Sequence, residues 1–308
     1  MRGSQRPIVV VGSINMDLVS TVPRIPNAGE TIFARDFQMH PGGKGANQAV
    51  GVARLDYPAV MIGMVGQDAF GKQLQEQLKK EGVDTTHVGE CTAATGSASI
   101  LVDATGENSI VVAAGANLHL TPEVLRAKVD ILREAGVVLT QLEIPLETVQ
   151  CLAEMCAELH LPLILDPAPA QTLPDGMLRH VTWLTPNETE AQFYAGWALQ
   201  NEEMLAKLFQ AGAQGVVLKR GALGSVLAEK THLPHVIPAP AVTAVDTTAA
   251  GDAFNAAFAV GLMSGYGAIE SARFATAAAA ISVTRPGAQP SLATRSEVVT
   301  VLGAGIAT

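Results

Sequence analysis

The residues best suited to chemistry in this chain are a carboxylate, Asp252, and the small residues Ala249, Ala250 and Gly251 directly before it. An apolar stripe at helical spacing follows, so the small residues lie where a turn becomes a helix. The first amide groups of a helix are unpaired and carry partial positive charge, which suits a phosphate. The pattern therefore predicts an anion-binding turn with a base beside it. The alternative is an acid that only favours the helix dipole.

A second turn of small residues, 42–46, also leads into a helix, and Asn47 and Gln48 fall on the first turn of that helix. It is not a Walker-type phosphate loop, because the spacing Gly-x4-Gly-Lys-Ser/Thr is absent. Its amide groups, with the donor and acceptor of Asn47, suit the hydroxyl groups of a polyol. A tight turn without a ligand is the competing interpretation.

Polar side chains also stand at the ends of predicted strands: Asn15, Asp17, Glu143, Asp166, Asn187 and Glu190. Ligands of open α/β sheets bind at the carboxyl ends of strands. Each residue alone is compatible with a turn or a helix cap, and Asn187 fits a cap especially well. Acids that share a cleft, however, need a cation, a base role or hydroxyl donors to offset their desolvation.

The elements that must position these residues are short apolar runs that alternate with helical patterns. The runs are 8–11, 60–64, 137–142, 161–165, 181–184 and 216–218. They predict one α/β domain over residues 1–308, with a central, mainly parallel sheet flanked by helices. Helices are expected from Phe70 to Gly82 and from Thr121 to Gly136, and a strand over 238–245 before the anion-binding turn.

Two stretches, about 15–41 and 96–115, alternate like strands without helices between them. They predict a small antiparallel sheet apart from the main core, which would serve as a lid. One face of such a sheet would be apolar and exposed unless something covers it. A homodimer formed through the lid sheets is therefore expected.

Composition excludes several classes of protein. The chain has 308 residues, of which 48% are hydrophobic and 16% charged, with no apolar stretch long enough for a membrane span and no signal-peptide pattern. We therefore expect a cytoplasmic protein; residues 1–4 resemble an expression-vector leader. A net charge of −9 with scattered basic residues argues against nucleic acid as a partner. The three cysteines and seven histidines show no disulfide or metal spacing.

Taken together, the motifs resemble those of the PfkB-type carbohydrate kinases over essentially the whole chain, and the ribokinase branch in particular. The matching segments are 12–17, 42–49, 141–143, 167–170, 187–190, 246–252 and 284–291. The resemblance implies a ribokinase-like fold with a β-sheet lid. It also implies transfer of the ATP γ-phosphate to the primary 5-hydroxyl of D-ribose, with Mg²⁺, and with K⁺ as an activating cation.

The resemblance also assigns roles by position. The implied sugar-site residues are Asn15, Met16, Asp17, Gly43, Lys44, Gly45, Ala46, Asn47, Glu143 and Asp252. Asp252 would be the general base, and amides of Ala249, Ala250 and Gly251 the anion hole. The nucleotide side would comprise Asn187, Lys219, Arg220, Gly221, Ala222, Leu223, Gly224, Gly251, Asp252 and Thr276, with Glu190 acting on Mg²⁺ indirectly. The K⁺ ligands would be side chains of Asp246 and Ser291 and carbonyls of Thr248, Ser282, Arg285 and Gly287.

Three positions depart from the usual wording of that family. Ala249 replaces a common glycine, and its methyl group is accommodated if φ is negative. Lys219 and Arg220 replace Thr-Leu in the nucleotide loop, which changes the expected nucleotide contacts and would add attraction for phosphate. Asp166 replaces an asparagine, and it would either favour Mg²⁺ or simply be an acid at a strand end.

Three other functions remain open on the sequence. The first is a kinase for another small sugar or nucleoside, such as deoxyribose, fructose or a ribonucleoside; Asp17 favours paired hydroxyls over a deoxy sugar. The second is a sugar-binding homologue without catalysis, which the presence of Asp252 argues against. The third, a nicotinamide-dependent oxidoreductase, is disfavoured because Gly-x-Gly-x-x-Gly is absent after the first strand.

Overall fold

A computed structural model describes residues 5–196 and 201–304, so the leader-like residues 1–4 lie outside the described part. Its strands are, in chain order, β1 Ile8–Val11, β2 Asn15–Thr21, β3 Asp36–Gly42, β4 Ala59–Gly66, β5 Val88–Cys91, β6 Gly96–Val102, β7 Asn108–Ala113, β8 Val137–Thr140, β9 Leu163–Leu165, β10 Trp183–Leu184, β11 Gly215–Lys219, β12 Ser225–Glu229 and β13 His235–Ile237. The α-helices are α1 Lys44–Arg54, α2 Ala69–Lys80, α3 Pro122–Arg126, α4 Val129–Glu134, α5 Leu146–Glu158, α6 Glu188–Ala195, α7 Asn201–Gln210, α8 Ala250–Met263, α9 Ala268–Ser282 and α10 Arg295–Ala304.

The main sheet has the order β13-β12-β11-β10-β9-β8-β1-β4-β5, and it is parallel from β11 to β5. Only β12 and β13 run antiparallel to their neighbours. Side chains alternate between the faces: Ile8 and Val10 pack in the core that includes α1, α8 and α9, whereas Val9 and Val11 pack in the core that includes α5. The predicted α/β layering is confirmed.

The smaller sheet has the order β3-β2-β6-β7 and is mixed, so the expectation of a purely antiparallel sheet is wrong. β2 pairs antiparallel with β3, and β6 with β7, but β2 and β6 are parallel. The reason is the connection between β2 and β6, which is not a hairpin but passes through β3, α1, β4, α2 and β5. Only three residues separate the end of β1 from the start of β2, and this short link ties the small sheet to the main one.

Two other expectations need correction. The helix expected from Thr121 to Gly136 is broken into α3 and α4, because the Lys128 amide donates to Leu125 in a tighter turn. The segment 238–245 is not a strand, since Pro238 and Pro240 lack amide protons for a ladder. The amides of residues 245 and 246 instead donate to the Val283 carbonyl at the end of α9. No helix within residues 5–196 and 201–304 is long and apolar enough to cross a bilayer.

Candidate active site

Asp252 lies in the first turn of α8 and is 4% exposed. Helix α1 packs against α8 and brings two amide side chains to it. Asn47 Nδ2 donates to Asp252 Oδ2 and Gln48 Nε2 donates to Asp252 Oδ1, each over 3.0 Å. Both oxygens are thereby oriented by neutral donors, which fix the carboxylate without neutralising its charge.

The environment of Asp252 suits a base that works near neutrality. Burial raises its pKa, and the Asp166 carboxylate adds to this, whereas Lys44 and the two amide donors lower it; the result is a pKa of about 6. A carboxylate with such a pKa accepts a proton more readily than an exposed one. For Lys44, burial lowers the pKa, but the surrounding acids outweigh it and hold the pKa above its usual range.

A second layer of side chains supports this base. Gln141 Nε2 donates to Gln48 Oε1 over 2.6 Å, and Gln48 Nε2 also lies 3.3 Å from Asp166 Oδ2. Asp166 in turn forms a buried ion pair with Lys219, at 2.9 Å. The sequence assigned no role to Gln48 or Gln141, because partners about a hundred residues apart leave no local signal.

The opposite side of Asp252 faces the small sheet. Ser13 Oγ donates to Glu143 Oε2 over 2.6 Å, and the Lys44 amide donates to the same oxygen over 3.1 Å. Asn117, which the sequence did not suggest, donates from Nδ2 to Asn15 Oδ1 over 2.7 Å. Asn47 Oδ1 is buried and has no partner among the residues that the structure describes. A ligand hydroxyl would satisfy that acceptor.

Asp17 lies within strand β2, two residues after Asn15. Burial raises its pKa, and the Glu143 and Asp252 carboxylates raise it further, to about 7. A Cβ on Gly42 would lie 2.2 Å from Asp17 Oδ2, so glycine makes room for this carboxylate. The three acids Asp17, Glu143 and Asp252 therefore converge here, and their mutual repulsion favours hydroxyl donors as partners.

The glycine loop has mainly structural reasons for its small residues. Gly43 has φ +87°, which favours glycine, and a Cβ there would lie 2.7 Å from the Asn15 nitrogen. Gly45 packs directly on the link after β1. Met16 and Ala46, expected at the sugar site, point into the hydrophobic core, so only their backbone is left to contact a ligand.

A cavity of about 740 Å³ extends from Asp252 along the ends of the strands. Of the residues expected at the phosphate and nucleotide side, it is lined by Asn187, Glu190, Lys219, Gly221, Ala222, Gly224, Ala249, Ala250, Gly251, Asp252 and Thr276. Of those expected at the sugar site, it is lined by Lys44 and Asp252 alone. Arg220 and Leu223 are not among its lining residues. Arg220 lies 3.6 Å from Glu188, and Leu223 is 59% exposed.

The turn before α8 differs from expectation at Ala249, whose φ is +60° instead of negative. The left-handed conformation costs a non-glycine residue about 1 kcal/mol or more, which explains why glycine is the common residue there. The Ala250 amide donates to the Thr247 carbonyl over 3.2 Å. A phosphate at this turn would share or replace that bond.

Asn187 and Glu190 form a capping box at the start of α6. Asn187 Oδ1 accepts from the Glu190 amide, and the two Glu190 oxygens accept from the amide and Nδ2 of Asn187, over 2.8 and 2.9 Å. Burial raises the pKa of Glu190. Since both of its oxygens are engaged, direct coordination of a metal would disrupt the cap, whereas a contact through water would not.

The residues expected at a K⁺ site lie next to the turn that leads into α8. Asp246 Oδ1 accepts from the Thr248 amide and Oδ2 from the Gly287 amide, both over 2.8 Å, while Ser291 Oγ donates to Ala288. The Ser282 carbonyl accepts from the Arg285 amide at the end of α9. Among residues 5–196 and 201–304, no group of three or more His, Cys, Asp or Glu side chains is placed to hold a metal ion. The expected K⁺ ligands are mostly backbone carbonyls, so they would not form such a group of side chains.

Comparisons with known proteins agree on one family. Residues 5–295 match the pfkB family of carbohydrate kinases. The chain is 40% identical to a ribokinase of Haemophilus influenzae, covering 97% of this chain and 99% of that protein, and 42% identical to a ribokinase of Bacillus subtilis, covering 96% and 99%. A solved structure of Arabidopsis thaliana ribokinase, complexed with ribose and ATP, matches with a TM-score of 0.91 and 38% identity over 96% of this chain and 98% of that one.

Proposed function

Because the chain belongs to the pfkB family of carbohydrate kinases, we propose that it transfers the γ-phosphoryl group of ATP to the primary 5-hydroxyl of D-ribose. The observation that carries this proposal is the position of Asp252. Its buried carboxylate lies at the end of the cavity, between the phosphate-side residues and the acids facing the small sheet. The ribokinases similar to this chain supply the identity of the sugar.

The geometry supports an in-line transfer with Asp252 as general base. The ribose hydroxyl would give its proton to Asp252 while its oxygen attacks the γ-phosphorus, and ADP would leave from the opposite side. Asn47 and Gln48 hold the carboxylate in place for that proton. Amides at the start of α8 would receive the phosphoryl oxygens, since charge stabilisation and alignment supply most of the catalysis in such transfers.

On the sugar side, Asp17, Glu143, Asn15, Asn47 and Lys44 would bind ribose hydroxyls. The half-buried carboxylates of Asp17 and Glu143 would accept hydrogen bonds from these hydroxyls, and so would the unpartnered Oδ1 of Asn47. On the nucleotide side, Thr276 and the loop at Gly221 to Gly224 would bind the adenosine portion, and Mg²⁺ would lie near Asn187 and Glu190, contacting Glu190 through water. Mg²⁺ would neutralise the charge of the triphosphate.

A coupled assay of ADP release tests the function. We expect ribose to give the highest kcat/KM among pentoses, deoxypentoses, hexoses and nucleosides, and removal of Mg²⁺ with EDTA to abolish turnover. Deoxyribose should be disfavoured, because it leaves one acceptor of the sugar site without a donor. Turnover of a different substrate without turnover of ribose would reject the ribose assignment. If none of the tested substrates caused ADP release, the kinase function would be rejected.

We also propose a K⁺ site formed by Asp246 and Ser291 with carbonyls of Thr248, Ser282, Arg285 and Gly287. These residues adjoin the turn that leads into α8, so an ion there would order the anion hole. Oxygen ligands of this kind suit a hard monovalent cation. The assay should run severalfold faster in potassium than in sodium at equal ionic strength. Equal rates in sodium, potassium and caesium would refute the site.

We propose, finally, that the small sheet is a lid and that two copies of the chain associate through it. On one face, its outer strands expose Phe37, Met39 and Val111, each by 47% or more, whereas Ile110 and Val112 are exposed on the opposite face. A patch of this kind on a four-stranded sheet favours burial. Sedimentation equilibrium should give about twice the chain mass, and Val111→Lys should shift it to the monomer. A monomeric parent protein would overturn this part of the proposal.

A further inference from the structure

Lys219 ends strand β11, and its ammonium group lies at the phosphate end of the cavity. Its side chain is 13% exposed, and its Nζ lies 2.9 Å from Asp166 Oδ1. A Cβ placed on Gly251 would stand 3.3 Å from the same Nζ. The ammonium group therefore lies against the turn at the start of α8. Its backbone is fixed as well, because the Lys219 amide donates to Pro186 over 2.8 Å.

The charges that line the cavity indicate a second role for this ammonium group, besides its ion pair with Asp166. The lining includes three carboxylates, on Asp166, Glu190 and Asp252, and two ammonium groups, on Lys44 and Lys219. A triphosphate would add further negative charge to the same space. A cation beside the α8 turn would offset the repulsion and stabilise charge on the phosphoryl group during transfer.

We propose that Lys219 is a catalytic residue that binds the γ-phosphoryl group of ATP, and that Asp166 is the residue that positions it. This rests on the kinase function proposed above. Asp166 also accepts from Gln48 Nε2 over 3.3 Å, and the same Nε2 donates to Asp252 Oδ1 over 3.0 Å. One buried carboxylate thus fixes both the cation for the phosphate and the amide that orients the base.

The two departures from the family pattern are therefore one feature. Lys219 stands where the family usually has threonine, and Asp166 where it usually has asparagine, and the two form an ion pair. Asp166 without Lys219 would be a 2% exposed acid without a cation beside it, facing a triphosphate. The sequence left two roles open for Asp166, a group that favours Mg²⁺ or an acid at a strand end without a function. The ion pair with Lys219 supports neither of them.

The test removes the Lys219 ammonium group in an Asp166→Asn background, so that no buried acid is left unpaired. Asp166→Asn keeps an acceptor for Gln48 but removes the charge, and it is compared with the double variant Asp166→Asn/Lys219→Met. Affinities for ADP and for the β,γ-imido analogue of ATP are measured by calorimetry without sugar, and kcat with ribose. We expect the added Lys219→Met to lower the affinity for the analogue by about tenfold or more and the affinity for ADP by less than threefold. It should also lower kcat by about tenfold or more.

Two results would overturn the proposal. Unchanged analogue affinity and kcat would mean that Lys219 only neutralises Asp166. Equal losses for the analogue and ADP would place Lys219 on the inner phosphates instead of the γ-phosphoryl group. Asp166→Asn/Lys219→Arg, which keeps the charge, should retain most of the analogue affinity. If the parent protein phosphorylates no sugar, the proposed function fails, but the binding comparison still decides the role of Lys219.

The matched control is Lys72→Met, which removes the same charge from an exposed position on α2, outside the cavity lining. Its nucleotide affinities should equal those of the parent protein. A loss there comparable to that of the double variant would show that net charge, and not the position of Lys219, governs binding.

Discussion

Asp252→Asn is expected to lower kcat for ribose phosphorylation by about a hundred- to ten-thousand-fold, the usual contribution of a positioned base. Asparagine has the shape of aspartate but does not accept the proton of the attacking hydroxyl. Ribose and the imido analogue of ATP should bind within a fewfold of the parent affinity, because the cavity keeps its other groups. Single-turnover kinetics and calorimetry would measure the two effects separately.

The pH profile adds an independent readout. Burial holds the pKa of Asp252 at about 6 in the free protein, so kcat/KM of the parent should decline as the pH falls through 6 and the base becomes protonated. The residual activity of Asp252→Asn should lack the decline that Asp252 causes near pH 6 and keep only the decline that follows protonation of Asp17.

Asp130→Asn is the control for the chemical change alone, since Asp130 lies on α4 with its side chain 91% exposed. It should behave like the parent. Near-normal turnover of Asp252→Asn would remove Asp252 from the role of base. Loss of ribose and nucleotide binding together with turnover would instead indicate a structural role.

The second large effect is expected at Asp17. Asp17→Asn should raise the KM for ribose by about 10- to 100-fold, the range expected when hydrogen bonds to a charged acceptor are lost. The affinity for the ATP analogue should stay within a fewfold of the parent value, because Asp17 lies on the sugar side of Asp252. Steady-state kinetics at saturating ATP would measure the KM.

The pKa of Asp17 determines the direction of the pH effect. Burial and the neighbouring acids raise it to about 7, so the carboxylate of the free protein becomes protonated as the pH falls through 7. Ribose should then bind more weakly, and this dependence should vanish in Asp17→Asn. Since the folded-state pKa lies above the unfolded value of 3.8, ionisation of Asp17 lowers stability as the pH rises from about 4 to about 7. The variant should lose less stability over that interval.

Asp36→Asn makes the same change at an exposed position of the same small sheet and should leave the KM unchanged. An unaltered KM in Asp17→Asn would exclude Asp17 from the sugar site. A fall in kcat at constant KM would point to an effect on Asp252, whose carboxylate couples electrostatically to that of Asp17.

Much of the fold could be predicted because it depends on local patterns. Short apolar runs between helical stripes predicted the main sheet, and the small residues before Asp252 and around Gly43 predicted turns that lead into helices. The order of the motifs also indicated the family, since each motif is a contiguous segment whose residues are seen together in the sequence. The small sheet was expected from its alternation, but its mixed pairing depends on a long connection that local periodicity does not reveal.

The arrangement of the candidate site was decided by the tertiary structure. Gln48, Asp166 and Lys219 belong to three separate parts of the chain, α1, the end of β9 and β11, and only tertiary packing makes them one chain of contacts to Asp252. The pKa values of Asp17 and Asp252 follow in the same way from burial, which is a property of the folded protein. The sequence determined which chemical groups are present and at which strand or helix end each one stands. Tertiary packing decided their partners, because hydrogen bonds and desolvation act over ångströms in space and not over positions along the chain.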